Sequence, residues 1–271
     1  AVIMSYEQFE AIPLSPERQK KFLDDALQEA QEALDSLTDS GFSRKSFTIK
    51  QAERAKKKIL TAIKDLAKKT TKKDDTICFE ALGFDRLYVD ESHNYKNLGF
   101  FTKIDGIPHG TYAKTNDMLA KVQYLNELTN ERGVVFASGT PISNSMAELY
   151  TLQRYLRPSR LKKQGLMAFD AWASTFGQEV TQMELDPSGK GFRAKTRFAK
   201  FTNLPELMSM FKEFADVKTA DMLKLPTPSY EIVVEKSDAS PAQKKWIDDL
   251  VERAEEIRAK RPRKLREDAD P

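Results

Sequence analysis

The chain has 271 residues, a formal net charge of +3, 40% hydrophobic residues and 31% charged residues. This composition supports one large domain or two small ones with long solvated helices, and no run of about 18 uncharged apolar residues offers a membrane span. A single cysteine, Cys78, and two histidines, His93 and His109, exclude a disulfide framework, a multi-cysteine zinc site and a His-rich metal centre. No charged-then-apolar leader opens the chain, which predicts a cytoplasmic protein. Ala1 to Tyr6 is a short apolar run that reads as a buried strand. A domain seldom opens on a bare central strand, so the chain is expected to start inside a larger protein.

Ser15-Pro16-Glu17 is a helix start, with a capping serine and a proline suited to the first turn. Apolar residues from Phe22 to Leu37 recur at helical spacing until Asp39-Ser40-Gly41. A second helical pattern runs from Ile49 to Ala67. Together they predict an αα-hairpin inserted between two strands. Leu87-Tyr88-Val89 is a compact strand, Thr115 to Glu131 a helix, Gly133 to Ser138 a further strand, and Ser145 to Leu156 a helix closed by Pro158. Strand, helix, strand, helix, with strands apolar on both faces, predicts a parallel α/β sheet. Beyond Pro158, helices are expected over Phe169–Phe176 and Leu204–Ala215, and a turn at Asp186–Gly191. A strand is expected at Ile232–Val234, and a charged helix from Pro241 to Lys260. Trp172 and Trp246 read as core residues, Cys78 as a small buried hydrophobe, Phe100-Phe101 as a loop anchor and His109 as a loop residue.

Charge is unevenly spread. Between Ser43 and Lys73 there are twelve Lys/Arg residues, opposed by Glu53 and Asp65. Such a block is a solvated helix face, a coiled-coil-like arm that packs on other parts of a larger protein, or a surface for nucleic acid, with Lys56, Lys57, Lys58, Lys68 and Lys69 as its candidate phosphate contacts.

Two constellations carry chemistry. The strand Leu87–Val89 runs into Asp90-Glu91-Ser92-His93. In α/β proteins ligands gather at the carboxyl ends of strands. A hard-oxygen pair there can hold hydrated Mg²⁺ with one carboxylate and orient water with the other. It can equally end a strand in solvent. The next strand ends in Ser138-Gly139-Thr140-Pro141-Ile142-Ser143-Asn144. This tight turn lets backbone approach a phosphate, or simply starts a helix.

Taken together, the two stretches resemble motifs II and III of superfamily 2 helicases and translocases, most closely the SNF2-like branch. Val89 to Asn97 is similar to that branch's acidic box with its trailing Lys-Asn. Gly139 to Asn144, then Glu148-Leu149, Leu156 and Pro158, is similar to its Gly-Thr-Pro stretch and following helix, with Ser143 in place of glutamine. Ile3 to Glu7 resembles the strand between the nucleotide loop and the acidic box, and Leu225-Pro226, Ile232 and Gln243 resemble the passage into a second motor lobe. The likeness is specific over Phe84–Pro158. The gap after Lys96 and the hairpin resemble large helicase–methyltransferase proteins of phages and mobile elements.

The resemblance implies an ATPase motor acting on DNA, double-stranded by expectation, with ATP and Mg²⁺ as cofactors. Asp90 would hold Mg²⁺ through water and Glu91 would be the general base. His93 would face the γ-phosphate, while Ser138, Gly139 and Thr140 would couple nucleotide state to lobe movement. The implied fold is a partial RecA-like parallel sheet with flanking helices, the inserted hairpin and a mostly helical C-terminal region. Residues 1–158 would form the later part of a first motor lobe, with the hairpin over about 15–75. Residues 159–228 would be an interlobe segment, and 229–271 the start of a second lobe with a basic tail at Arg261, Arg263, Lys264 and Arg266.

No Gly-x-x-x-x-Gly-Lys-Ser/Thr loop occurs, since Gly189-Lys190 is followed by Gly191. The phosphate loop is therefore expected upstream of Ala1 and the second lobe beyond Pro271, and the chain alone should hydrolyse ATP negligibly. A non-catalytic nucleic-acid-binding or scaffold module on a relic motor fold is the alternative. A self-contained α/β hydrolase would need a complete pocket around Asp90 and Glu91. For the basic block, reversing Lys56, Lys57 and Lys58 to glutamate is expected to weaken DNA binding and flatten its salt dependence. Filter binding across a salt series checks this, and unchanged affinity at low salt discards the DNA contact.

Overall fold

The computed structural model describes residues 1–39, 47–69, 77–104, 107, 113–143, 145–185, 192–223, 226 and 228–258. His109, Asn144, the Asp186–Gly191 turn and the basic tail from Arg261 lie outside the described residues. The fold is mixed α/β, with many helices and two small two-stranded sheets. The chain divides into two compact units: Ala1–Val180 with Arg197–Ala215, and Thr181–Thr196 with Asp216–Pro271.

The chain opens on a cap, which corrects the expected strand at Ala1–Tyr6. Helix α1 spans Tyr6–Ala11. Gln8 N donates to Ser5 Oγ at 3.3 Å, and Ser5 N donates to Gln8 Oε1 at 2.9 Å. These reciprocal bonds satisfy two otherwise orphaned donors and favour a helix start here. Val2 and Ile3 stay exposed.

Helices α2 (Pro16–Asp39) and α3 (Phe47–Lys69) form the expected hairpin. Leu34, Leu37, Ile49 and Ala52 close it, and Phe101 packs against the same cluster. Among the described residues, helix α1 and no strand precedes the hairpin. Helix α2 carries seven acidic and three basic residues, and α3 eight basic and two acidic. The two arms therefore attract, and part of the basic charge is answered within the hairpin. Lys56 donates to Gln31 Oε1 of α2. Lys57 and Lys58 are exposed.

Strand β1 (Leu87–Val89) pairs in parallel with β2 (Val134–Phe136), with Leu87 opposite Val134 and Val89 opposite Phe136. Gly133 admits β2: a Cβ there would lie 2.9 Å from the Asp85 carbonyl oxygen and 2.7 Å from Thr129 Oγ1. Helix α4 (Ala113–Thr129) follows the loop after β1 and contributes Met118, Val122 and Leu125 to the cluster that buries Val89. Among the described residues the opposite face is uncovered. Tyr88 is 75% exposed and Val135 45%, so the expectation of strands buried on both faces is corrected. Strand residues alternate sides, and only one side has helices packed on it here.

A second cluster forms among α5 (Ala147–Leu156), α6 (Pro158–Lys163), α7 (Phe169–Phe176) and α8 (Leu204–Lys212). Trp172 is fully buried, and its Nε1 donates to Gln153 Oε1 at 2.7 Å. Phe100 stacks on Phe169 with ring centroids 4.3 Å apart, as a loop anchor should.

The expectation of a mostly helical C-terminal region holds in part: five described helices lie beyond residue 157, and two strands join them. Strands β3 (Gly177–Leu185) and β4 (Phe192–Phe201) pair with each other. Gly177 is needed for this, because a Cβ there would fall 1.9 Å from the Phe198 ring. The expected strand at Ile232–Val234 has no regular structure and is exposed, for no described strand partners it. After a short helix α9 (Ala220–Leu223), helix α10 spans Pro241–Arg258 and is capped by Ser240, which accepts from Gln243 N at 3.2 Å. Trp246 is 64% exposed on it and is not core. Cys78 is half-buried. Among the described residues no helix is long and apolar enough to cross a membrane.

Lys121 is the least expected core residue. It has no exposure, and its Nζ donates to the Phe9 carbonyl at 2.7 Å and to Asp117 Oδ2 at 2.7 Å. The ammonium also lies 4.4 Å from the Phe9 ring centroid. Burial pushes the Asp117 carboxyl above its ordinary range, against the pull of Lys121. Removing the carboxylate strands a buried cation, whereas removing the cation leaves a carboxylate with access to water. Asp117→Ala is therefore expected to cost about 3 kcal/mol and Lys121→Met less than half of that. Urea denaturation of the two variants checks the order.

Candidate active site at two strand ends

The parallel pairing continues past both strands and joins the loops that follow. Ala137 N donates to the Val89 carbonyl at 2.8 Å, and Ser92 N donates to the Ala137 carbonyl at 2.9 Å. Ser92 Oγ donates to the same carbonyl at 3.0 Å. The Asp90–Lys96 loop and the Ser138–Ser143 turn therefore sit side by side at one end of the sheet.

Between them stands His93. Its Nδ1 lies 3.1 Å from Ser138 Oγ and 3.1 Å from Glu91 Oε2. A proton on Nδ1 can be shared by both oxygens, so the imidazole bridges the acidic box to the neighbouring turn. Both oxygens face one nitrogen, so this is not a nucleophile–base–orienter triad. Thr140 N donates to Ser138 Oγ at 3.1 Å, which folds the turn around the serine. Gly139 has open space where a side chain would be. Thr140 is exposed beside it.

Glu91 adopts a left-handed conformation, φ 46° and ψ 43°. Non-glycine residues rarely hold positive φ without a structural reason. Here the backbone is over-determined. Glu91 N donates to Asp90 Oδ1 at 3.0 Å, and the Glu91 carbonyl accepts from Asn94 N at 3.1 Å and Asn94 Nδ2 at 3.0 Å. The kink turns consecutive carboxylates outward at the strand end. Tyr6 of α1 donates its hydroxyl to the Asp90 carbonyl, and its ring meets Tyr95 edge-on.

The loop is held from beneath by buried donors. Tyr155 donates to the Tyr95 carbonyl, 3.2 Å, and to the Thr115 carbonyl, 3.0 Å. Thr151 Oγ1 donates to the Lys96 carbonyl at 2.7 Å. Burial, then the Glu10 carboxylate, raises the Tyr95 hydroxyl above the ordinary phenol range, and burial does the same for Tyr155. Sequence reading named the exposed residues of this site and missed these supports. Tyr155 carries no motif, Tyr6 falls in the Ile3–Glu7 stretch read as a strand, and only the folded chain brings them to the loop.

Asp90 and Glu91 provide two exposed carboxylates. No group of three or more His, Cys, Asp or Glu residues able to cage a metal occurs among the described residues. Two adjacent carboxylates offer hard-oxygen donors of the kind a hydrated Mg²⁺ takes while keeping several waters. A cavity of about 700 Å³ lined by Arg18, Tyr124, Glu127 and Arg157, and one of about 150 Å³ lined by Glu29, Phe100 and Arg154, lie elsewhere. Neither includes Asp90 or Glu91. Lys56, Lys57, Lys58, Lys68 and Lys69 belong to α3, away from the bonds that define this site.

Residues 1–219 match the family described as "Probable helicase domain". The "Defense against restriction protein B" of Escherichia phage P1 is 28% identical over 232 residues, covering 83% of this chain and 10% of that protein. The chain thus spans about a tenth of the length of that relative. No solved structure matches the chain. For the left-handed residue at the site's centre, Glu91→Gly is expected to be neutral or stabilising by up to about 1 kcal/mol. Thermal denaturation checks this, and a clear loss of stability would mean that the Glu91 side chain holds the loop together.

Proposed function

The chain belongs to the probable helicase domain family, and on that premise we propose that it is the acidic-box segment of an ATP-dependent, SNF2-like DNA helicase or translocase. The observation that carries the reading is the bridge from Glu91 through His93 to Ser138 across two parallel strand ends. An acidic pair alone is common. An acidic pair tied through histidine to a Ser-Gly-Thr turn on the adjacent strand is an arrangement suited to nucleotide hydrolysis that must be communicated. The small parallel sheet is read as part of a RecA-like lobe, and the protein as cytoplasmic.

In this reading Asp90 would hold Mg²⁺ through water, and the ion would neutralise phosphate charge during transfer. Glu91 orients a water and takes its proton. Its kinked backbone holds the carboxylate next to Asp90, with His93 Nδ1 3.1 Å from Oε2. His93 shares its Nδ1 proton between Glu91 and Ser138, so a change at the acidic pair is felt at the turn. Ser138, Gly139 and Thr140 pass that change to other parts of the protein. Phosphate-binding and second-lobe elements would come from the rest of a longer chain, in keeping with the tenth of the phage relative that is matched. DNA would be tracked by the basic arm at Lys56, Lys57, Lys58, Lys68 and Lys69, partly offset by acidic α2.

The test is Glu91→Gln in the full-length protein containing this segment. ATP should still bind, and DNA-stimulated turnover should fall by about 10²-fold or more. Equilibrium nucleotide binding and phosphate release read the two arms. Preserved turnover would refute the base assignment.

A further inference from the structure

Lys96 closes the loop after β1, and Glu148 lies in the first turn of α5. Their side chains are 8% and 3% exposed, and Lys96 Nζ lies 3.3 Å from Glu148 Oε2. The same carboxylate oxygen accepts from Ser143 N at 2.6 Å, at the far end of the turn that begins with Ser138. Lys96 also donates to Ser143 Oγ. Three chain segments therefore converge on one buried ion pair: the end of the acidic loop, the end of the Ser-Gly-Thr turn and the start of α5.

We infer that Lys96 and Glu148 are positioning residues that clamp the acidic loop to the adjacent turn, so that the two shift as one body. Neither touches the reacting groups. Desolvating two charges is costly, and an apolar pair of similar volume commonly serves stability as well or better. What an apolar pair cannot supply is directional bonding to Ser143, which fixes the register of one loop on the other. His93–Ser138 joins the loops at the solvent side and Lys96–Glu148–Ser143 joins them beneath. Two separated ties prevent the loops from pivoting about one. In the helicase reading, on which the functional consequence rests, this clamp carries nucleotide state from Glu91 to the turn.

The decisive variant is the apolar double substitution Lys96→Met with Glu148→Leu in the full-length protein, assayed for ATP turnover with and without double-stranded DNA. The melting temperature should stay within about 4 °C of wild type. The KM for ATP and basal turnover should be unchanged, while stimulation by DNA should drop about tenfold. The charge-swapped pair, Lys96→Glu with Glu148→Lys, should recover part of that stimulation. Full stimulation in the apolar variant would overturn the inference. Should the wild-type protein show no ATP turnover, the helicase reading fails and the clamp is judged on this chain by ¹⁵N resonances of His93. The apolar variant should then shift the His93 imidazole signals as Ser138 moves away, and unchanged signals would overturn the clamp.

Discussion

Parallel pairing of β1 with β2 is the constraint on which the site depends. Antiparallel neighbours would send their following loops to opposite ends of the sheet. Parallel neighbours send them to the same end, and the Leu87–Val134 register makes Val89 and Phe136 finish level. From there the backbone bonds through Ala137 and Ser92 extend the pairing beyond the strands. The acidic pair, the histidine and the serine turn are thereby brought within hydrogen-bond range although the sequence keeps them well apart. Gly133 permits this start because no side chain fits between Thr129 and the Asp85 backbone.

Much of this fold could be read from residue patterns. The helices at Pro16, Ala113, Ala147, Phe169 and Pro241 have the apolar spacing, caps or proline starts that local chemistry rewards. The failures were of two kinds. At Ser5, a capping box outweighed the strand preference of the residues before it. At Ile232–Val234, apolar composition was present but a partner strand was not, and a strand without a partner leaves its backbone to water. The β3–β4 ribbon was missed for the opposite reason. Basic residues Arg193, Lys195 and Arg197 alternate along β4, and that period of two was obscured by a reading tuned to apolar residues.

The site divides in the same way. Asp90, Glu91, His93, Ser138 and Thr140 were legible because their residue types and order resemble known motifs. The spatial ties beneath them were not. Lys96 and Glu148 were noted only as trailing letters of two separate motifs, and their union is a property of the packed chain. The positive φ of Glu91 is equally invisible in sequence, since glutamate is not a residue that announces a left-handed turn. Exposed chemistry can be listed from a sequence, whereas the buried polar framework that aims it requires three-dimensional partners.

The extended stretch from Tyr230 to Glu235 has a bearing on how the protein behaves when concentrated. Tyr230, Ile232, Val233 and Val234 are each more than 70% exposed, and their side chains favour cross-β stacking. Glu231 and Glu235 punctuate the run with negative charge. They act as gatekeepers, because like charges in stacked copies repel. That repulsion is screened within about 10 Å at 0.1 M salt. Raising ionic strength therefore weakens the protection that Glu231 and Glu235 give this stretch.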